Sequence, residues 1–252
     1  MPRPFARESW SCFAVGAALF IGALCGPAAE ARAQQLVAPV SDNVHGLPLV
    51  ELRAKGKSET LAIVLSGDGG WADIDKQIGK ELAERGIDVV GFDDHEYLMK
   101  GRRDANSTAS DVERVASHFM RAWNDDRLVI VGYSRGAAFA PFVATRLSAD
   151  VRSHLSLIAM LGLPEHVSFV AHFSDLWTTR TNPSDTPILP ELERLRGTNM
   201  LCVYGTKEDE SLCKSVDSTL VFPVSREGAH HFDGDYKSIT TLILDRIGAK
   251  GR

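Results

Sequence analysis

The chain has 252 residues, 44% of them hydrophobic, and a net charge of −5 from 28 basic and 33 acidic side chains. That composition supports one buried core and excludes a disordered chain, and the lack of a basic stripe excludes nucleic acid as a direct ligand. The N-terminus stands apart: Arg3 and Arg7 precede an apolar run at 13–24 too short to span a bilayer, and Ala31-Arg32-Ala33 then offers a cleavage site. Residues 1–33 therefore read as a secretory signal peptide, with 34–252 expected as a single soluble, exported α/β domain.

Segment 47–52 alternates weakly and predicts an early strand. Leu61-Ala62-Ile63-Val64-Leu65 is a continuous apolar run, as a strand covered on both faces requires. Ile74, Ile78 and Leu82, four apart, give a helix one apolar stripe, and Gly86 ends it. A strand at 87–92 follows, then a second amphipathic helix marked by Val112, Val115, Phe119 and Trp123. Further strands are predicted at 128–131, 155–161, 200–204 and 220–224, and Ile239, Leu242, Ile243 and Ile247 build a terminal helix. This alternation predicts a doubly wound, mainly parallel sheet. The stretch 164–190, rich in proline and holding Trp177, is longer than a plain connection needs. It predicts a small lid over the site, the alternative being a crossover helix with a proline-rich loop.

The strand at 128–131 runs straight into Gly132-Tyr133-Ser134-Arg135-Gly136, which a small-residue stretch, Ala137-Ala138-Phe139-Ala140, follows. Strand, G-x-S-x-G and helix in succession describe a turn that exposes a serine at the C-terminal edge of a sheet, with helix N–H groups facing it. A serine hydroxyl is a poor nucleophile alone and needs a base and an acid to orient that base. Both follow in the order of α/β-hydrolases. The acid lies in Gly205-Thr206-Lys207-Glu208-Asp209-Glu210, where Glu208 leads because it stands three residues after the glycine, with Asp209 the alternative. The base lies in His230-His231-Phe232, where His231, followed by an aromatic, leads His230. An oxyanion hole needs two backbone donors. The N–H of Arg135 is one, and Gly67 or Asp68, in the glycine-rich loop 66–71, supplies the other. Cys12 and Cys25 leave with the signal peptide, so Cys202 and Cys213 remain as an even pair in an exported protein, which predicts a disulfide across the acid turn. They are too few for a structural zinc site, and the chemistry calls for no metal or organic cofactor.

With those residues in place, the chain resembles the VirJ family of bacterial periplasmic virulence proteins, which includes the C-terminal domain of AcvB. The marks are Leu65-Ser66-Gly67-Asp68-Gly69-Gly70-Trp71, the Gly132–Gly136 motif with Pro141 in the next helix, Tyr204-Gly205 through Ser211-Leu212-Cys213, and His230-His231-Phe232-Asp233-Gly234-Asp235-Tyr236. The resemblance implies an α/β-hydrolase-like fold, a periplasmic location, a link to virulence and type IV secretion, the nucleophile at Ser134 and the base within His230-His231. For the AcvB branch it implies hydrolysis of aminoacylated phosphatidylglycerol, notably the lysyl form. Arg135 stands where a smaller or an aromatic residue is expected.

Asp68, Asp93, Asp94, Glu96, Asp233 and Asp235 all follow strands or the histidine pair, so a parallel sheet would gather them near Ser134 as an acidic rim suited to a cationic group. Asp93, Asp94, Trp71 and Trp177 are accordingly expected to contact substrate. Two functions follow. One is a periplasmic serine esterase acting on an aminoacyl or acyl ester of a lipid at the membrane surface. The other is a hydrolase-like adaptor that binds type IV secretion components or substrates.

Overall fold

The apolar runs become the middle of a seven-stranded sheet. The computed structural model describes residues 44–101, 103–169 and 185–248, all within the unit Pro39–Arg252. The predicted signal peptide, Trp177 and the middle of the predicted lid lie outside the described residues. The strands are β1 (Leu49–Leu52), β2 (Thr60–Leu65), β3 (Asp88–Phe92), β4 (Arg127–Tyr133), β5 (Leu155–Leu161), β8 (Met200–Gly205) and β9 (Phe222–Arg226), in the order β1-β3-β2-β4-β5-β8-β9. Only β1 runs antiparallel, along β3 at one edge. A separate antiparallel pair, β6 (His166–Val167) with β7 (Thr186–Pro187), closes the base of the 164–190 insertion. Phe169 beside it stacks on Phe139 at 4.8 Å between ring centroids.

Period-two alternation divides the strand residues between two cores. Leu61, Ile63, Leu65, Leu128 and Ile130 pack with helices α3 (Ala105–Trp123) and α4 (Arg135–Arg146). Ala62, Val64, Val129, Val131 and Leu157 pack with α1 (Asp73–Glu84) and α7 (Tyr236–Gly248). Three short α-helices, α2 (Asp94–Met99), α5 (Ala149–Ser153) and α6 (Leu189–Arg194), and two single 3-10 turns, Leu212–Lys214 and Phe232–Gly234, complete the described chain. The last strand lies two residues later than its apolar run predicts. Leu220 and Val221 are buried in the core from the turn before it, where the Leu220 N–H bonds the Asp217 carbonyl at 2.9 Å. Pairing with β8, Leu201 opposite Phe222 through Gly205 opposite Arg226, then sets the strand. Among the described residues no helix is long and apolar enough to cross a membrane.

Two buried carboxyls give the fold a pH signature. Asp75 is 1% exposed in the first turn of α1, accepts the Ala72 N–H at 3.2 Å, and is pushed by burial from 3.8 to about 7. Asp125, buried beyond the end of α3, is raised by burial and by the neighbouring Asp88 to about 6. Both bind protons more tightly folded than unfolded. Their stabilisation is therefore complete below about pH 4 and is lost as the pH rises through 6 to 7. The melting temperature is expected to fall between pH 5 and pH 8, and to fall less in Asp75→Asn, which stays neutral and keeps the acceptor. Thermal unfolding across that range checks it; equal slopes for the two proteins would contradict the assignment to Asp75.

Candidate active site

In an open parallel sheet the ligand crevice forms where neighbouring strands send their connections to opposite sides. Here that point lies between β2 and β4, since β2 connects outward to β3 while β4 connects toward β5. Loop 66–71 leaves the end of β2, and Gly132-Tyr133-Ser134-Arg135-Gly136 leaves the end of β4, so the two sit side by side.

The serine turn is as tight as its glycines imply. Ser134 has φ 53° and ψ −113°, a conformation that costs a non-glycine residue energy and that the surroundings must hold. Its N–H bonds the Leu161 carbonyl of β5 at 2.8 Å. A Cβ on Gly132 would lie 2.2 Å from the Gly136 carbonyl oxygen, and a Cβ on Gly136 would lie 2.1 Å from that of Leu65. Each glycine is therefore demanded by backbone contact. Arg135 is the first residue of α4, among the first-turn donors that a helix cannot satisfy internally.

Loop 66–71 folds on itself. Gly67 and Gly70 form a bridge, with the Gly70 N–H on the Gly67 carbonyl at 3.1 Å. Gly67 lies against both Tyr133 and Ser134: a Cβ there would be 3.0 Å from the tyrosine Cδ1 and 3.4 Å from the serine Cβ. Backbone of this loop thus lies beside Ser134, the position expected for a second oxyanion donor.

The acid and the histidine come from the ends of β8 and β9. Glu208 is 7% exposed. Its Oε2 accepts the Gly205 N–H at 3.0 Å and its Oε1 lies 2.6 Å from His230 Nδ1. A carboxylate only accepts, so Nδ1 carries the hydrogen and Nε2 keeps its lone pair free to take a proton. The loops are bonded to each other, Thr206 N–H to the Arg226 carbonyl at 2.7 Å and Lys207 N–H to that of Gly228 at 2.8 Å. Lys214 Nζ bonds the Glu208 carbonyl. A disulfide joins Cys202 to Cys213, with Cα atoms 5.5 Å apart, and closes the turn from below. In the chain-entropy model a loop this short stabilises by about 2 to 3 kcal/mol. Reduction, or a double Cys→Ser change, is expected to lower activity by a larger factor than the lost stability accounts for, because Glu208 would lose its fixed place. Esterase rates and melting temperatures measured side by side check this; a rate loss that vanishes below the melting transition would contradict it.

Several expected site residues are placed differently. His231, favoured as base, does not meet Glu208; it is exposed, and its Nδ1 lies 3.1 Å from the Tyr133 hydroxyl, a phenol kept protonated by burial. Gly162, at φ 62°, explains part of the choice: a Cβ there would lie 2.6 Å from His230 Cε1, so the ring fits only against bare backbone. Asp209, the alternative acid, is exposed. Asp94 is wholly buried at the start of α2 and cannot touch substrate. Burial holds its carboxyl well above the usual range, with Arg135 opposing. Asp93 caps α2 through the Glu96 N–H at 2.9 Å and takes the Trp71 N–H at 3.0 Å. The Trp71 ring lies on Gly91 and Gly79, where a Cβ on Gly91 would be 2.4 Å away, so it fills the core between β3 and α1. The acidic rim is thus largely used in capping, packing and ion pairing; Asp233 lies 3.8 Å from Lys207, and Asp235 holds the Ser238 hydroxyl at 2.6 Å. Tyr133, Lys214 and Gly162 were not singled out from sequence; a glycine directly after the strand 155–161 is the one local signal that could have marked a close approach there.

The family model described as bacterial virulence protein (VirJ) matches residues 59–250. The chain belongs to the VirJ family. No protein of curated function matches it. Among solved structures, this VirJ-family chain is similar to Est1E from Butyrivibrio proteoclasticus, with a TM-score of 0.56 and 12% identity over 80% of this chain and 93% of that one. It is also similar to an α/β serine hydrolase homologue from Coxiella burnetii (0.54, 18% identity, 78% and 89% covered). A third is proline iminopeptidase from Mycobacterium smegmatis (0.53, 12% identity, 79% and 94% covered). At such identities the likeness is one of fold, and with the mainly parallel sheet it makes this VirJ-family chain an α/β-hydrolase fold.

Proposed function

We propose that this VirJ-family protein is a serine hydrolase that cleaves an ester. The observation that carries the reading is the Glu208–His230 pair at 2.6 Å, set at the same sheet edge as a strained Ser134 with loop 66–71 beside it. Ser134 Oγ attacks the ester carbonyl while His230 Nε2 takes its proton. The N–H of Arg135 and that of Gly67 or Asp68 receive the developing oxyanion. His230 then returns the proton to the leaving alcohol, and Glu208 holds the ring in the productive tautomer throughout. Water, activated by the same histidine, releases the acyl group. The substrate class we propose is an aminoacyl ester of phosphatidylglycerol, of which the lysyl form is the first to assay, met by an exported protein at the periplasmic membrane surface. The VirJ family membership supports a bacterial virulence setting, and the link to type IV secretion is part of the same proposal.

A fluorophosphonate probe tests the chemistry directly. The wild-type protein without its signal peptide is expected to be labelled on Ser134, and Ser134→Ala to remain unlabelled. A folded wild-type protein that takes no label would overturn the hydrolase reading in favour of a binding role. Release of amino acid from lysyl- and alanyl-phosphatidylglycerol vesicles, set against release of fatty acid from unmodified phosphatidylglycerol, tests the substrate class separately, and cleavage only at the fatty-acyl esters would overturn that part.

A further inference from the structure

The Arg135 side chain has a place that the G-x-S-x-G motif does not require. Only 9% of it is exposed, and its guanidinium is ion-paired with the Asp68 carboxylate of loop 66–71. Asp94, wholly buried, lies close enough for Arg135 to be the main favourable charge acting on it, and neither of its carboxyl oxygens has a hydrogen-bond partner among the described residues. The same aspartate donates its N–H to Ser66 Oγ at 2.9 Å. Asp93 takes the Trp71 N–H, and its Oδ1 would be 2.9 Å from a Cβ on Gly70. Loop 66–71 is therefore held at both ends by the start of α2 and across its middle by Arg135.

The two oxyanion donors belong to different elements, the start of α4 and the connection after β2. Donors of this kind stabilise a transition state only while they are held near the position the oxyanion will occupy, and displacement by an ångström costs about a hundredfold in rate. Arg135 offers its N–H from one side, Gly67 or Asp68 offers one from the other, and the Arg135 and Asp68 side chains pair across the two elements. We propose that Arg135, through its pair with Asp68 and with the buried Asp94 beside it, is a positioning residue that locks the two halves of the oxyanion hole at a fixed separation. The proposal rests on the hydrolase reading above. A guanidinium suits the task because it is planar, permanently charged and able to engage a carboxylate while nearly buried, which a small residue after the nucleophile cannot do.

The test uses p-nitrophenyl acetate turnover and the rate of fluorophosphonate labelling in the protein without its signal peptide. Asp68→Asn and Arg135→Met are each expected to lower kcat by about 10- to 100-fold with KM within about twofold. The double variant is expected to be no slower than the slower single one, because one contact is lost in all three. Arg135→Lys is expected to restore part of the loss. Asp68 is partly exposed, so Asp68→Asn should keep the wild-type melting temperature within a few degrees, which separates positioning from stability. Unchanged turnover, losses that multiply in the double variant, or a kcat loss that follows the melting temperature would each overturn the inference. A wild-type protein inert to the fluorophosphonate overturns the hydrolase reading and this inference with it, whereas a reactive wild type with unaffected variants overturns this inference alone.

Discussion

Replacing His230 with alanine is expected to lower ester hydrolysis on the order of 10⁴- to 10⁶-fold, as much as Ser134→Ala, and the two changes together are expected to cost no more than either alone. The ring bonded to Glu208 at 2.6 Å is the one whose Nε2 is left free for the serine proton. Without it, in the proposed mechanism, the hydroxyl has no base and the leaving alcohol no acid. His231→Ala, by contrast, removes an exposed ring whose partner is the Tyr133 hydroxyl, and a single hydrogen bond of that kind contributes about 1 kcal/mol, so the loss is expected to stay within about tenfold. Steady-state rates for the three variants decide the matter. A larger loss at His231 than at His230 would reverse the assignment and would require the 229–231 turn to rearrange when substrate binds.

Gly136→Ala and Gly132→Ala are expected to be the most disruptive single-methyl changes in the site. The added Cβ would meet backbone in both cases, 2.1 Å from the Leu65 carbonyl oxygen and 2.2 Å from that of Gly136. No side chain can move aside there; either α4 must lift from β2 or the turn must open. A loss of about 4 kcal/mol or more, at the extreme of single substitutions, is expected, with activity falling below detection in whatever protein still folds. Gly69→Ala makes the comparison: its Cβ would have Ala72 Cβ at 3.9 Å as its nearest neighbour, an ordinary contact, and the change is expected to stay within about 0.5 kcal/mol. Chemical denaturation of the three variants checks the ranking, and a Gly136→Ala protein as stable as Gly69→Ala would refute the contact argument.

The sequence by itself determined the sheet and the tight turn that carries Ser134. The runs at 61–65 and 128–131 are continuously apolar and too short for helices, as central strands require, and all six residues of β2 are buried. The two glycines around Ser134 are local, and the turn they allow is closed within a few residues of chain, so the pattern was readable there without knowledge of the rest. The position of Glu208 three residues after Gly205 was legible for the same reason: its own turn bonds it back to that glycine's N–H.

Only the tertiary structure decided which of two adjacent histidines meets the acid. His230 and His231 are neighbours whose side chains leave the chain in different directions, and the choice between them is made by Gly162 at the end of β5 and by Tyr133 at the end of β4, both far away in sequence. The acidic rim failed for a related reason. Counting aspartates at strand ends gives their residue positions but not their direction: Asp94 turns inward beside Arg135, Asp93 turns to the Trp71 N–H, and Trp71 itself turns onto the bare face of Gly91. Local pattern sets which backbone is strand, turn or helix because those choices are made over a few residues. The direction in which a polar side chain at a loop points is set by what long-range packing leaves open to it.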